Sequence, residues 1–210
     1  MSSQDRTYTF FASVSRMKYI ERWALMRASR PENLSEHSLE VAMIAHALCV
    51  LGNVRHGRAL NAEKAALTAL YHDATEIITG DMPTPVKYGS ESLKRAYKSV
   101  EHEAGEHLLA RLPEDLRPVY EPLFAEESEA VAEGEAAENE RYMRRLVKAS
   151  DKLSALIKCI EEEGSGNREF ATAKASTERA VAAMREELPE VDDFCREFLP
   201  PYGKTLDELT

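Results

Sequence analysis

The 210-residue sequence has few cysteines and no concentration of positive charge. Cys49, Cys159 and Cys195 are far apart and form no C-x-x-C pair, so neither a disulfide framework nor a thiolate zinc site is indicated. The formal net charge of −10 argues against binding of a nucleic acid polymer, because clustered lysine and arginine hold long polyanions. A small phosphate ester, held by a metal ion and one or two basic side chains, is compatible with this charge.

The sequence also lacks a long uninterrupted apolar run and an evident secretory leader. No apolar run approaches the length that a membrane-spanning helix needs, so we expect no membrane partner. The N-terminal MSSQDRTYTFFASVSR has no basic segment followed by an apolar core, which a secretory signal would require. The expected location is the cytoplasm.

Helical periodicity is present along nearly the whole chain. Apolar residues recur at helical spacing and no convincing alternating strand occurs, which predicts an all-α fold. We interpret residues 1–210 as one domain, with a core of about 7–163 and C-terminal helices at 168–199 packed on it. The predicted helices cover about 7–20, 35–51, 61–78, 91–111, a segment starting near 113, 139–163, 168–188 and 191–199.

Several local signals mark where these helices begin and end. Asn33, with Glu36 three residues later, is typical of a helix start, and Asn61 is a second candidate N-cap. Gly80 is well placed to end the helix that Asn61 begins. The Glu- and Ala-rich stretch 126–140 is either a helical extension or a connection.

The densest group of ionisable side chains lies in LYHDATEIITGDMPTPVKY. On a continuous helix, His72, Asp73 and Glu76 share one arc with Ala65 and Ala69, whose small side chains leave space above that face. An imidazole beside a carboxylate can supply nitrogen and oxygen ligands to a divalent metal. Glu76, one turn on, can orient a ligand or carry a proton. A polar helix end is the alternative, and it is the more common meaning of an isolated His-Asp pair.

A second histidine, His37, strengthens the interpretation of the His-Asp pair as part of a metal site. His37 begins an apolar stripe, on the face of its helix that should enter the core. A buried imidazole needs a polar partner, and a metal ion is one solution. A hydrogen bond to a backbone carbonyl is the other, and for His37 alone it is the better interpretation. The stripe that His37 begins continues with Val41, Ile44, Leu48 and Leu51.

Four ordered blocks resemble a known family. SEHS with His37, YHD with His72 and Asp73, and KASD with Asp151 resemble the HD-domain metal-dependent phosphohydrolases. Longer blocks spanning most of residues 16–163 are similar to the bacterial HD-domain 5′-deoxynucleotidases: RWALMR, ENLSEHSLEVAMIAHAL, YHDATEIITGDMPTPVKY and KASDKLSALIKCIEE. The resemblance implies an all-helical fold and one divalent metal ion, with manganese, cobalt and zinc all compatible. The metal ligands that it implies are His37, His72, Asp73 and Asp151.

The resemblance also implies roles for the side chains around the metal. The ion would polarise the phosphate and help generate a nucleophilic water, with Glu76 assisting proton transfer. Arg22 would orient the phosphate and, with Glu76, is a candidate catalytic residue. Arg22 and Trp23 together would favour a sugar without a 2′-hydroxyl, whereas a snorkelling arginine beside a core tryptophan is the structural alternative. The substrate contacts implied are Arg22, Trp23, His37, Asp73, Asp81, Met82, Pro83, Thr84 and Asp151.

Two of these positions have competing interpretations in the sequence itself. Asp81 would contact the sugar hydroxyl side, but Pro83 and Pro85 also explain a stiff turn without any ligand. Asp151 falls opposite the apolar stripe of its helix, which by pattern alone indicates a surface aspartate. Small neighbours permit a helix with two buried faces, and we therefore follow the resemblance. Those neighbours are Val147, Ser154 and Ala155.

The expected activity is hydrolysis of 2′-deoxyribonucleoside 5′-monophosphates to deoxynucleoside and phosphate. No base-reading motif is visible, so tolerance of different bases is expected, and the resemblance is compatible with a homodimer. An HD-domain hydrolase of nucleoside triphosphates or another phosphate ester is the nearest alternative. A metal-binding regulatory protein is another, although Glu76 and Arg22 would have no purpose in it. A cyclic-dinucleotide phosphodiesterase is disfavoured because no GYP block follows the His-Asp pair.

Overall fold

The chain is helical over most of its length in the structure, a computed structural model that describes residues 7–87, 89–125 and 134–209. The side chains of residues 84 and 85 lie outside the described part. Within these ranges there are ten α-helices and no strand, which confirms the predicted all-α fold. The helices are α1 (Phe10–Val14), α2 (Leu34–Arg55), α3 (Ala62–Tyr71), α4 (Glu76–Thr79), α5 (Thr84–Lys87), α6 (Glu91–Leu109), α7 (Arg117–Phe124), α8 (Glu135–Gly164), α9 (Ala171–Glu187) and α10 (Pro189–Glu197).

Helix α2 lies at the centre of the packing, against α3, α8 and α10. Its start is fixed as the sequence predicts, because the Asn33 side chain accepts hydrogen bonds from the amides of Ser35 (3.0 Å) and Glu36 (3.1 Å). Burial of its apolar stripe then holds it against its neighbours. The buried stripe includes Val41, Ile44, Leu48 and Leu51.

The prediction that no apolar run reaches membrane length was wrong for α2. At 22 residues, α2 is long and apolar enough to cross a bilayer by length and composition alone, and no other helix in the described ranges is. However, 56% of its most apolar stretch is buried inside the fold. This is the behaviour of a central core helix in a globular protein.

Two apolar clusters meet at the N-terminal end of α2. The larger cluster contains Val41 and joins α2, α3, α8, α9 and α10. The smaller one contains Leu34 and is built around Phe10 of α1 and the end of α6. His37 lies between Leu34 and Val41 on the same helix and is buried, so it sits where the two clusters meet. The smaller cluster consists of Phe10, Met17, Leu34, Ala74, Leu108, Leu109 and Leu112.

Two of the predicted helices are interrupted. The helix expected over 7–20 is α-helical only to Val14 and continues as a 3₁₀ helix over Ser15–Tyr19. The helix expected over 61–78 ends at Tyr71, and α4 begins only at Glu76. The His-Asp pair therefore lies in a turn between two helices and not on one continuous helical face.

The interruption at the His-Asp pair has a local cause. In a regular helix, the Ala69 carbonyl would accept the amide of Asp73. Here the Ala69 carbonyl accepts a hydrogen bond from Nδ1 of the His72 side chain at 2.6 Å. The following amide of Ala74 bonds to the Tyr71 carbonyl at 3.0 Å, a tighter three-residue spacing. The imidazole thus competes with the backbone and redirects both side chains of the pair.

The C-terminal helices complete the larger cluster. Val181 of α9 and Val191 of α10 are buried against α2 and α8. Of the Glu- and Ala-rich stretch 126–140, residues 126–133 lie outside the described part of the chain. Residues 135–140 form the first turns of α8.

A buried carboxylate at the end of α8 anchors the segment that precedes α2. Glu162 accepts hydrogen bonds from the amide of Ser29 (2.7 Å), from Asn167 (2.7 Å) and from the ammonium of Lys158 (2.6 Å). Lys158 also donates to the carbonyl of Arg30 at 2.7 Å. Burial opposes the charge of Glu162, but these hydrogen bonds outweigh it and lower its pKa to about 2.

We expect Glu162→Ala to destabilise the protein by about 3 kcal/mol, because Lys158 would remain buried without its partner. Urea denaturation measures this, with Glu163→Ala as the control, since the pair of Glu163 with Lys174 is on the surface. The pKa of Glu162 is lower in the fold than its usual value. Its contribution is therefore complete above pH 4.5 and is lost as the pH falls toward 2. Equal losses in the two variants would contradict the assignment.

Candidate metal centre and substrate loop

Four side chains from three parts of the chain converge at the junction of the two apolar clusters. His37 Nε2 of α2 lies 3.3 Å from Asp151 Oδ1 of α8 and 3.5 Å from Asp73 Oδ2. His72 Nε2 lies 3.2 Å from the same oxygen of Asp73. Ligand atoms of His37, His72 and Asp151 all lie within 4.8 Å of one another. This is close to the separation of about 4 Å between opposite ligands of one ion with bonds of about 2.1 Å.

Both imidazoles are oriented with Nε2 free for a ligand. His72 Nδ1 donates to the Ala69 carbonyl. His37 Nδ1 lies 3.1 Å from Ser154 Oγ, whose hydroxyl donates to Glu40 at 2.5 Å, so Ser154 accepts the proton of His37. Both Nε2 atoms are buried, and neither has a hydrogen-bond partner within the described ranges. Two buried lone pairs aimed at two carboxylates fit a divalent cation.

The charges of the cluster also suit a cation. Burial and the nearby Arg22 guanidinium lower the pKa of His37, so this imidazole is neutral and able to ligate. Burial opposes the charge of Asp73 and Asp151, but His72 beside Asp73 and Lys152 beside Asp151 outweigh it, and both carboxyl pKa values are lowered. Burial also opposes protonation of His72, yet the Asp73 carboxylate outweighs it and raises the pKa of His72.

The raised pKa of His72 makes metal binding dependent on pH. Below that pKa, a cation must displace a proton from His72, so we expect the affinity to fall about tenfold per pH unit. Above it, the affinity should level off. Competition with a chelating dye at a series of pH values measures the slope, and a variant of the exposed His46 (His46→Asn) should keep it. An affinity that does not change with pH would exclude His72 as a ligand.

A basic side chain lies beside the candidate ligands. Arg22 Nη1 is 3.4 Å from Asp73 Oδ2, and its Nε is 3.6 Å from Glu32. Burial opposes the charge of Arg22, but the surrounding carboxylates outweigh it and raise its pKa, so the guanidinium stays charged. Its Nε–H is buried and has no hydrogen-bond partner in the part of the chain that the structure describes. Arg22 thus keeps donor capacity for an anion at the cluster.

The two expected substrate segments touch each other. The indole N–H of Trp23 donates to Glu32 at 2.8 Å, and the backbone of Trp23 lies near enough to Asp81 to affect the pKa of its carboxyl group. Burial raises the pKa of Asp81, while Arg22 and the Trp23 amide oppose the rise. The turn after α4 and the segment after the first 3₁₀ helix therefore form one surface next to Arg22.

Glu76 is buried beside the cluster at the start of α4, with 6% of its surface exposed. Its Oε2 has no hydrogen-bond partner among the described residues. Burial, together with the negative charges of Asp73 and Asp81, raises the pKa of Glu76 to about 9. Before a cation binds, this carboxyl group holds a proton at neutral pH.

The structure gives fewer contacts for Met82, Pro83 and Thr84, the remaining residues of the expected substrate site. The Pro83 carbonyl accepts the amides of Val86 (2.8 Å) and Lys87 (3.0 Å), so Pro83 directly precedes the first turn of α5. Met82 precedes it and is half-buried. The side chain of Thr84 lies outside the described part of the chain.

The sequence matches a known protein family over most of its length. The family model described as 5′-deoxynucleotidase YfbR-like matches residues 9–202. The chain belongs to this family. The resemblance that the sequence blocks indicated is thereby confirmed.

Similar proteins cover nearly the whole YfbR-like chain. A 5′-deoxynucleotidase of Erwinia tasmaniensis is 46% identical over 201 residues, 96% of each chain. The 5′-deoxynucleotidase YfbR of Escherichia coli is 44% identical, over 96% of this chain and 95% of that one. A crystal structure of an HD-domain phosphohydrolase from Listeria innocua has a TM-score of 0.77 at 25% identity, covering 92% of this chain and 88% of that one.

Sequence reasoning missed three polar residues at the site of this YfbR-like protein. Glu40 and Ser154 orient His37, and Glu32 contacts both Arg22 and Trp23. Glu40 lies three residues after His37, and Ser154 lies three residues after Asp151, so helical spacing could have found both. Glu32 carries no such signal, because it lies in a loop, and only the fold of that loop brings it to the site.

Proposed function

We propose that the chain hydrolyses 2′-deoxyribonucleoside 5′-monophosphates to deoxynucleosides and phosphate. The observation that carries this proposal is the charged Arg22 guanidinium beside a partly buried group of two imidazoles and two carboxylates. The names of the relatives as 5′-deoxynucleotidases support the same substrate class. No specific contact favours a nucleoside triphosphate.

His37, His72, Asp73 and Asp151 would hold one divalent cation. The two carboxylates balance its charge, and the mixed nitrogen and oxygen donors suit manganese, cobalt or zinc. Such an ion supplies Lewis-acid polarisation of the phosphate and a nucleophilic water at neutral pH. Ser154 and Glu40 keep the proton of His37 on Nδ1, which holds its Nε2 as the donor atom.

Arg22 would bind the phosphate and orient it for attack. Its guanidinium is pinned near Asp73 on one side and Glu32 on the other, so little side-chain freedom is lost when the phosphate binds. Donors of a guanidinium match phosphate oxygens in pairs, and they also balance the charge that develops in the transition state.

Glu76 would protonate the leaving oxygen. The 5′-alkoxide of a nucleoside is a poor leaving group and needs a proton as the P–O bond breaks. Burial and the nearby carboxylates raise the pKa of Glu76 and so favour its protonated form, which makes it the candidate acid. After transfer, the charges of Lys87 and Arg22 would stabilise its carboxylate.

Trp23 and the Asp81 turn would hold the sugar. The ring of Trp23 would lie against the deoxyribose, and Asp81 would contact the sugar hydroxyl side, with Met82, Pro83 and Thr84 completing that wall. A cavity of about 630 Å³ opens on the other side of His72, between α6, α7 and α8. Neither Arg22 nor any of these sugar contacts lines it, so we place the substrate on the Trp23 side.

We further propose that the chain is a single domain that acts in the cytoplasm as a homodimer, without membrane or nucleic acid partners. The net charge of −10 supports the absence of a polyanion partner. An exposed apolar row on α2 supports contact with a second copy, and sedimentation of the purified protein tests it. The row consists of Leu39, Met43, Val50 and Val54.

Metal-stripped protein assayed against paired deoxy- and ribonucleotides, with one divalent metal restored at a time, tests the proposed reaction. We expect turnover of deoxynucleoside monophosphates that returns only with added metal and shows little dependence on the base. Equal turnover of ribonucleotides would contradict the deoxy selectivity. No turnover with any metal would favour a regulatory metal-binding protein.

A further inference from the structure

The loop that carries Arg22 and Trp23 is closed at its base by the backbone. Residues 21–33 leave and re-enter the helical core side by side, with an isolated antiparallel bridge between Glu21 and Asn33. The amide of Arg22 donates to the carbonyl of Glu32 at 2.8 Å. Glu32 therefore faces Arg22 and Trp23 across the neck of the loop.

Trp23 has an unusual backbone conformation in this loop. Its φ of 59° is the only positive value at a non-glycine residue in the described ranges. The left-handed region is unfavourable for a bulky side chain, and such a residue stays there only where its surroundings hold it. Residues held in this way cluster at ligand sites, where the geometry is part of the function.

The backbone carbonyl and the indole N–H of Trp23 both have protein partners. Its carbonyl accepts the amide of Met26 at 2.7 Å. The indole N–H donates to Glu32 Oε2 at 2.8 Å, and the ring lies 5.3 Å from that of Phe170. The side chain of Trp23 is thus fixed at its polar end by Glu32 and along its ring by Phe170.

The contact with Glu32 removes the one hydrogen-bond donor of the indole from the site. With that N–H bound, Trp23 has only carbon surface to present to a sugar. A 2′-hydroxyl placed against this surface would lose its water and gain no partner, whereas the hydrogen of a deoxyribose would lose nothing.

We propose that Glu32 is a positioning residue for substrate selection. It holds the indole N–H of Trp23 away from the sugar and thereby makes the wall that excludes a 2′-hydroxyl apolar. The same carboxylate lies 3.6 Å from Nε of Arg22, so one side chain orients both members of the pair. The selectivity rests on the proposed function, whereas the fixation of Trp23 does not.

The fixation can be observed without substrate or metal, because Trp23 is the only tryptophan of the chain. In Glu32→Ala, we expect the tryptophan emission to shift to the red and its quenching by acrylamide to increase. In Glu32→Gln, the amide oxygen can still accept the indole N–H, so both values should stay near those of the native protein. Glu36→Gln is the matched control, since it removes a nearby carboxylate that pairs with Arg30 instead.

The selectivity is measured as the ratio of kcat/KM for a deoxynucleoside and a ribonucleoside monophosphate. We expect Glu32→Ala to lower this ratio about tenfold, the equivalent of one hydrogen bond, and Glu32→Gln to restore most of it. A proportional loss of both activities at a constant ratio would overturn the proposal, as would native emission in Glu32→Ala. If Glu32→Ala does not fold, Glu32→Gln alone decides. A Glu32→Gln protein whose selectivity ratio differs from the native ratio would overturn the proposal, and so would one whose tryptophan emission equals that of unfolded protein. A native protein that does not discriminate would contradict the proposed function, while the emission would still decide whether Glu32 holds Trp23.

Discussion

Asp73→Asn should leave the protein folded and almost inactive. Oxygen Oδ2 of Asp73 lies within 3.5 Å of both candidate histidine ligands and within 3.4 Å of Arg22, so its charge serves the cation and the phosphate-binding arginine together. Groups that only support a metal ligand cost up to about 100-fold when removed, so loss of the ligand itself should cost on the order of 10³-fold or more in kcat/KM. Steady-state hydrolysis of a deoxynucleoside monophosphate at saturating metal measures this loss.

The control for this change is the exposed aspartate of the turn before α7. Asp115→Asn removes the same charge from an exposed side chain outside the cluster and should keep both activity and metal affinity. If Asp73→Asn bound metal with native affinity and kept even a tenth of the native rate, Asp73 would not be a ligand.

Glu76→Gln should lower kcat without removing the metal. A positioned proton donor contributes about 10² to 10⁴-fold to rate, and a glutamine of the same shape cannot donate an acidic proton. The loss should depend on the leaving group. An alkoxide needs the proton, whereas p-nitrophenolate does not, so hydrolysis of p-nitrophenyl phosphate should change far less than that of a deoxynucleotide.

The pH profile gives an independent check on Glu76. Because burial and the neighbouring carboxylates raise the pKa of Glu76 above that of an ordinary glutamate, its proton-donating form is favoured and is lost as the pH rises. The native kcat should decline on the alkaline side, and Glu76→Gln should lack this decline. Glu63→Gln, an exposed carboxylate change in the first turn of α3, should behave as the native protein. Equal losses with both leaving groups would assign Glu76 another role.

Much of the fold follows from local signals in the sequence. The apolar stripe of α2 and the side-chain caps at Asn33 and Asn61 were readable because both depend on neighbouring residues along one helix. Gly80, with φ of 73°, does end a helix, because a left-handed residue favours glycine, although that helix is α4 and not the one that Asn61 begins. These features need no knowledge of tertiary contacts.

The features that the residue pattern alone does not show depend on competition or on distant partners. The helix breaks at His72 because a side chain takes the carbonyl of Ala69, and periodicity cannot show that competition. Asp151 lies opposite the main apolar stripe of α8, yet it faces a second buried surface that only the packing of α2 creates. The candidate ligands converge although they do not share one helical face.

Glu32 marks the limit of local reasoning at the site. It lies outside any regular element, between Pro31 and Asn33, and nothing in its neighbours distinguishes it from a solvated loop residue. Its importance comes from the antiparallel return of the loop, which places it against Arg22 and Trp23. Only a three-dimensional path brings these residues together.

The most direct test of a single-cation phosphomonoesterase site is a titration of activity with metal. Metal-stripped protein should show no hydrolysis of deoxynucleoside 5′-monophosphate, and the rate should rise linearly and break at one equivalent of added cation per chain. Full activity in the stripped protein, or a break at two equivalents, would contradict a site in which His37, His72, Asp73 and Asp151 hold one ion.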